Sequence, residues 1–198
     1  MSEPVLAGLL LAAGGSERLG QPKQLLSLHG ESLVRRSAVM LLEQAADVLV
    51  VTGAEADSVR EELRDLPVKP VHNGDWRAGM GGSIAAGMQS LGDEPDGVLI
   101  MLCDQWCIDR GDLDSLFAAW QTEPSLITAA KWGENFGAPA IFPKSLFHDL
   151  RGLHGERGAK AIIGRQTDIR FVDMPHAGID LDTPEDLRTL DPQGRGFD

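Results

Sequence analysis

The sequence predicts an α/β fold built on a mostly parallel sheet, and three observations point there. Val5 to Leu11 is a nearly continuous apolar run, and Gly97 to Cys103 is a second; strands buried on both faces need such runs. Strand-like segments alternate with segments of helix length, which is the pattern of βαβ units. A polar, glycine-bearing loop follows the first run and an acid, Asp104, follows the second. Sheets of this class bind ligands at the carboxyl ends of their strands, near a switch in strand order.

The remaining elements follow in order. Ser32 to Leu42 carries a helical stripe of Leu33, Val34, Ala38, Leu41 and Leu42, with Ser32 as N-cap. Val48 to Thr52 reads as a strand, Asp57 to Leu66 as an acidic amphipathic helix and Val68 to His72 as a third strand. Gly79 to Gly82 reads as a loop leading into a helix from Ser83 to Leu91. Leu113 to Trp120 is the next helix, and Leu126 to Ala130 and Ala138 to Phe142 are strands. Short helices near Ser145 to Leu150 and Ala159 to Gly164 precede a late strand, Ile169 to Val172. Thr183 and Pro184 mark a capped helix start. Residues 191–198 read as a frayed tail. No repeat or linker interrupts the pattern, so residues 1–198 are expected to form one domain.

The composition narrows the functional classes. At 198 residues the chain can bury a core without disulfides or a structural metal. A net charge of -12 argues against general nucleic-acid binding, which needs a basic face. Any phosphate site must then be assembled locally from a few cations and backbone N–H groups. The two cysteines, Cys103 and Cys107, lack a zinc-site pattern and are expected to be reduced. No apolar run approaches membrane-spanning length, and the expected location is cytoplasmic.

Four segments hold residues suited to chemistry. In Leu11-Ala12-Ala13-Gly14-Gly15-Ser16-Glu17-Arg18 and on to Lys23, a strand feeds a loop of small residues. Backbone amides there can approach a phosphate, with Arg18 and Lys23 adding charge. The segment is neither a GxxxxGK[ST] loop nor a GxGxxG turn, and a plain βα turn with two solvated cations fits it too. Asp104, at the end of its apolar run, suits a magnesium ligand, since that ion takes carboxylate and phosphate oxygens; it equally suits a turn or helix cap. Asp180 and Asp182 alternate ahead of Thr183, so a second acid near the metal or a local cap is open to either. Asn73 to Ser83 is a glycine-rich stretch whose amides and Ser83 hydroxyl suit a base edge or a ribose, or a flexible connector. Trp76 within it is a stacking platform or an anchor for the loop. The five histidines show no metal-ligand spacing, and no Gly-x-Ser-x-Gly elbow is present.

Taken together, these segments resemble the nucleotidyltransferases of molybdenum cofactor maturation, and most of all the cytidylyltransferase branch. The resemblance is carried by Leu11 to Gly14 with Arg18 and Pro22-Lys23; Asn73 to Trp76 and Gly79 to Ser83; Leu102 to Gln105; Gly137 to Phe142; Gly155 to Ala159; and Asp180 to Leu187. It implies a three-layer α/β/α sheet of the glycosyltransferase-A type with a Rossmann-like nucleotide-binding half. It implies transfer of CMP from CTP to a phosphorylated molybdopterin acceptor, with release of pyrophosphate. By position, Arg18 and Lys23 would hold the triphosphate, and Asp104 and Asp182 would hold Mg2+. Leu11, Ala12, Ala13, Gly14 and Gly15 would line the nucleotide, with Gly79, Met80 and Ser83 near the base. Ala13, where the guanylyl branch tends to carry glycine, favours CTP. A recipient molybdoenzyme or its chaperone is the partner so implied. The chain departs from the family at Trp106, where proline is common, and at Cys107.

Overall fold

The computed structural model describes residues 3–190. The expected tail, 191–198, lies outside the described residues. In chain order the elements are β1 (Leu6–Ala12), β2 (Ser27–Leu28), β3 (Glu31–Ser32), α1 (Leu33–Gln44), β4 (Asp47–Thr52), α2 (Ala56–Glu62), β5 (Lys69–His72) and α3 (Met80–Ser90). There follow β6 (Gly97–Leu102), α4 (Arg110–Thr122), β7 (Ile127–Trp132), β8 (Asn135–Pro143), α5 (Phe147–Arg151), α6 (Lys160–Ile163), β9 (Ile169–Asp173) and α7 (Pro184–Leu190). The small strands β2 and β3 form a separate antiparallel ribbon.

Seven strands make the main sheet, in the order β5-β4-β1-β6-β8-β7-β9. Of these β8 alone runs against the rest, since it pairs antiparallel with both β6 and β7 while every other pair is parallel. Side chains alternate across the strands and feed two cores. Leu6, Leu10 and Ala12 of β1 join α1 and α4 through Val34, Leu41, Leu113 and Leu116. Ala7, Leu9 and Leu11 join α3, α5 and α6 through Ile84, Met88, Phe147 and Ile162. Burial on both faces explains why β1 and β6 are apolar throughout, and the two cores give the expected three-layer α/β/α architecture.

Differences from the expected elements have local causes. The helix α3 starts at Met80, ahead of Ser83, although Gly81 and Gly82 are poor helix formers. A Cβ on Gly81 would lie 2.6 Å from the Arg157 carbonyl oxygen, so close approach of the 154–157 backbone dictates glycine there. Around β7 and β8 the structure forms a hairpin longer than expected, turning at Gly133 with φ 56°. α4 begins at Arg110, where Asp109 and Asp112 cap each other's backbone. β5 carries Pro70 and sits at the sheet edge, the place in a sheet that tolerates a missing N–H. Ser32 caps α1 as expected, accepting from the Arg35 amide at 3.3 Å. Among the described residues no helix is long and apolar enough to cross a membrane.

Under α4 the packing leaves no slack. Trp120 is fully buried, and a Cβ on Gly97 would come within 2.6 Å of its ring. Gly97→Ala is therefore expected to cost about 1–3 kcal/mol by overpacking. Trp120→Phe in the same chain frees the space, so the double variant should lose less than the sum of the two single losses, measured by urea unfolding.

Candidate active site

The site begins at the strand switch. β1 and β6 lie side by side with Leu11 opposite Leu102, and the Cys103 amide donates to the Leu11 carbonyl at 3.2 Å. The loop after β1 and the acid after β6 therefore leave the sheet together. A third segment is tied in from the far end of the chain, since the Leu181 amide donates to the Asp104 carbonyl at 3.3 Å and Leu181 is fully buried. The Asp182 and Thr183 amides donate to the Asp186 carboxylate, and the Asp186 amide donates to the Thr183 hydroxyl. This reciprocal cap fixes the backbone that presents Asp182.

Gln24 shapes the first loop from inside. It is buried, and its amide nitrogen donates to the Ala12 carbonyl at 3.1 Å and to the Gly14 carbonyl. The Ser16 hydroxyl donates to Gln24 Oε1 and accepts from the Lys23 amide at 3.0 Å. Nothing in the sequence pattern marks Gln24; only its burial reveals the role. Gly15 is dictated by Trp76, whose ring would lie 2.6 Å from an added Cβ, while Gly14 faces open space. Gly53 likewise sits 2.7 Å, at its Cβ position, from Trp76 Cβ. Trp76 is thus wedged between two glycine backbones as an anchor, and Arg77 lies over its ring with Cζ 4.2 Å from the centroid.

Leu11, Ala12, Ala13, Gly14, Gly15, Arg18, Lys23, Gly79, Met80, Ser83, Asp104 and Asp182 all line one cleft of about 660 Å³. Trp76, Arg77, Glu156 and Asp180 line it with them. Within the cleft the parts play unequal roles. Leu11, Ala12 and Ala13 are buried, and the Ala13 side chain belongs to the core beneath. Ser83 is also buried, and its hydroxyl accepts from Asn73 Nδ2 at 3.1 Å. Gly79 has φ 115°, and a Cβ there would meet the Gly155 carbonyl at 2.5 Å. Met80 is 43 % exposed at the cleft rim.

The charged centre is compact. Lys23 Nζ contacts Asp104 Oδ2 and donates to Asp182 Oδ1 at 3.1 Å. Arg18 donates to Asp182 Oδ2 at 2.8 Å from the exposed side. Cations expected on the triphosphate and acids expected on the metal are therefore paired with each other. Burial works against the Lys23 charge, but Asp104 and Asp182 outweigh it and hold the ammonium above the ordinary lysine range. Desolvation by the surrounding wall, reinforced by the charges of Asp104 and Asp182, pushes the Asp180 carboxyl up to about 6. Asp104 Oδ1 is buried and accepts no hydrogen bond among the described residues. Cys103 is buried beside this centre, and burial pushes its thiol well up, as it does the Cys107 thiol. No cluster of three or more His, Cys, Asp or Glu side chains is gathered around a metal-sized space among the described residues.

Residues 8–169 match the model of the MobA-like NTP transferase domain. The chain belongs to that family. Among curated relatives it is similar to nicotine blue oxidoreductase of Paenarthrobacter nicotinovorans, 39% identical over 94% of this chain and 97% of the other. It is also similar to the purine catabolism protein PucB of Bacillus subtilis, 30% identical over 94% and 96%. Its identity to the molybdenum cofactor guanylyltransferase of Rhizobium johnstonii is 32%, over 73% and 66%. Among solved structures, Rv0371c of Mycobacterium tuberculosis superposes with a TM-score of 0.83 at 24% identity, covering 96% and 98% of the two chains. A manganese complex of Rv0371C superposes at 0.78 and 22%, covering 96% and 99%. These superpositions show the nucleotidyltransferase fold. As a MobA-like NTP transferase the chain is a nucleotidyltransferase; the family model does not name its acceptor.

Lys23 neutralises two carboxylates, one of them mostly buried, so its loss leaves negative charges facing each other. Lys23→Met is expected to destabilise the chain by about 1–3 kcal/mol in metal-free buffer. Adding Asp104→Asn to it should recover part of that loss in a double-mutant cycle by urea unfolding. Independent, additive effects of the two substitutions would show that the contact carries no energy.

Proposed function

We propose that this MobA-like transferase moves CMP from CTP to the phosphate of a molybdopterin-type acceptor and releases pyrophosphate, with Mg2+ as its metal. The observation that carries the reading is the Lys23 ammonium held between Asp104 and Asp182 at the foot of a loop of small residues. Two carboxylates whose one shared partner among the described residues is a cation suit a divalent ion. The buried Asp104 Oδ1, which accepts no hydrogen bond from the described residues, offers that ion a further oxygen. An all-oxygen donor set fits magnesium, which binds through one or two carboxylates and completes its shell with substrate phosphates. Asp104 and Asp182 would hold it, and when bound it supplies charge neutralisation on the triphosphate oxygens.

The chain's own residues do the rest. The amides of the Ala13 to Gly15 loop, kept open by Gln24, line the phosphate path. Lys23 and Arg18 pass from the carboxylates to the phosphates and meet the charge that gathers on the leaving group. An oxygen of the acceptor phosphate attacks the α-phosphorus in line. The bond to the bridging oxygen breaks, and pyrophosphate leaves with its electron pair. An acceptor phosphate is ionised near neutral pH, so no general base is needed. Catalysis is then a matter of positioning and charge, as is usual in phosphoryl chemistry.

A second reading keeps the chemistry and changes the nucleotide to GTP. It is favoured by the name of the Rhizobium relative, a guanylyltransferase. Two near-full-length relatives bear names outside nucleotidyl transfer, so the acceptor panel extends beyond pterins. A carrier that binds nucleotide or pterin without turnover would bind triphosphate saturably and release no pyrophosphate with any acceptor.

Two measurements test the reading. Pyrophosphate release with each triphosphate, Mg2+ and a molybdopterin-type acceptor should be greatest with CTP. Asp104→Asn should keep its fold and lose most of that turnover; near-normal rates at limiting Mg2+ would remove Asp104 from the metal. Ala13→Gly should move the ratio of kcat/KM for CTP over GTP toward GTP, with or without a full reversal, since one contact seldom sets a whole switch. A wild-type preference for GTP would overturn the cytidylyl assignment and leave nucleotidyl transfer standing.

A further inference from the structure

Gln105 stands next to Asp104 and takes no part in the chemistry above. It is buried, and its carboxamide is fully engaged. Nε2 donates to the Ala138 carbonyl at 2.7 Å and to the Ala177 carbonyl at 3.0 Å. Oε1 accepts from the Leu102 amide at 3.4 Å. One side chain thereby joins three stretches: the end of β6, the middle of β8 and the segment that leads to Asp182. The Gln105 amide also donates to the Leu102 carbonyl at 3.4 Å, and its carbonyl accepts from the Ile108 amide at 3.1 Å. The backbone that carries Asp104 and Gln105 is thus a closed turn.

Both carbonyls lie outside regular ladders. The β7–β8 register slips between Ala129 and Ala130, and Ala138 and Pro139 face no partner residue in β6 or β7. Such bulges are common beside active sites, where they end a ladder and re-aim the chain. Ala177 is buried in a single 3-10 turn, Pro175–Gly178. A buried carbonyl without a donor costs free energy, and Gln105 supplies a donor to each. From that turn the chain runs as a strap to Asp182. The strap is tied at Met174, whose amide donates to the Lys131 carbonyl at 2.8 Å. It is tied again at Ala177 by Gln105, and at Leu181 by the Asp104 carbonyl at 3.3 Å. Gly178 is pressed against β7, since a Cβ there would lie 2.5 Å from the Trp132 ring. Two of the three ties therefore end on Asp104 and its neighbour.

We infer that Gln105 is a positioning residue: its carboxamide sets the separation of the Asp104 and Asp182 carboxylates, and the pair selects Mg2+ over the larger Ca2+ for that reason. The inference rests on the assignment of Asp104 and Asp182 to a metal. Gln105 lies behind the cleft lining and acts through the two acids. Mg2+ demands near-octahedral oxygens at about 2.0–2.1 Å, whereas Ca2+ accepts flexible sets at about 2.3–2.6 Å. A strictly held carboxylate pair suits the demanding ion, and a pair on a loosened strap loses that advantage. Groups that orient metal ligands without touching the ion change metal affinity about 10–100-fold when they are substituted.

The test uses the full chain and the Gln105→Met variant, which keeps the volume and removes the hydrogen bonds. Mn2+ binding is followed by paramagnetic resonance, and Mg2+ and Ca2+ are ranked by their power to displace it. The strap is followed separately by amide hydrogen exchange of residues 174–183 in metal-free buffer. Gln105→Met should weaken Mg2+ binding about tenfold and Ca2+ binding by less than about threefold, so that the ratio of the two narrows. Exchange in the strap should quicken. Ile141→Val, a buried change in β8 away from the carboxamide, should lower stability and leave both readouts where they were. If Gln105→Met does not fold, Gln105→Asn, which keeps the amide on a shorter stem, is read in the same way. An unchanged ratio of Mg2+ to Ca2+ affinity, or strap exchange no faster than in Ile141→Val, would overturn the inference. Absent Mn2+ binding in the wild type would instead strike the metal assignment and the selectivity with it. Hydrogen exchange would then still decide whether Gln105 holds the strap.

Discussion

One cation between two carboxylates organises this molecule. Lys23 reaches from the first βα loop to an acid at the end of β6 and to another just before α7. Three stretches remote in sequence therefore meet at a single ammonium group. Charges of this kind, partly withdrawn from water, stay only where partners satisfy them. The backbone ties around them serve that end: Cys103 to Leu11, Leu181 to Asp104, and the reciprocal cap at Thr183 and Asp186. Without the ammonium, the acids would repel one another across the cleft.

The architecture was legible in the sequence because burial on two faces writes itself as uninterrupted apolar runs. β1 and β6 announce themselves in this way, and their carboxyl ends mark the cleft. Helix starts at Ser32 and Thr183 were equally plain, since a hydroxyl ahead of an apolar stripe is a local signal. The start of α3 was not, because Gly81 and Gly82 argue against a helix unless the 154–157 backbone is known to press on them. The length of the β7–β8 hairpin and the reversed direction of β8 depend on pairings between distant strands, which periodicity does not encode.

At the site, residue types were visible and relations were not. Arg18, Lys23, Asp104 and Asp182 stand out as charges beside small or apolar neighbours. That the cations and the acids grip each other is a fact of distance alone. Gly15 reads in sequence as room for a phosphate, yet its neighbour is the Trp76 ring. Gln24 carries no pattern at all, though it sets the shape of the loop from beneath. Arg77 stacked on Trp76 adds a further positive group to the cleft that adjacency in sequence did not reveal.

The lone reversal of β8 has a consequence for how such a protein diversifies. Because β7 and β8 join through a tight turn at Gly133, this part of the sheet needs no crossover helix. The tip of the hairpin can lengthen, shorten or change its side chains while the parallel strands that carry the loop after β1 keep their register. Such an arrangement separates the inheritance of the parallel strands from variation at the hairpin. A chain of this design can vary around Gly133 with the charged centre left in place.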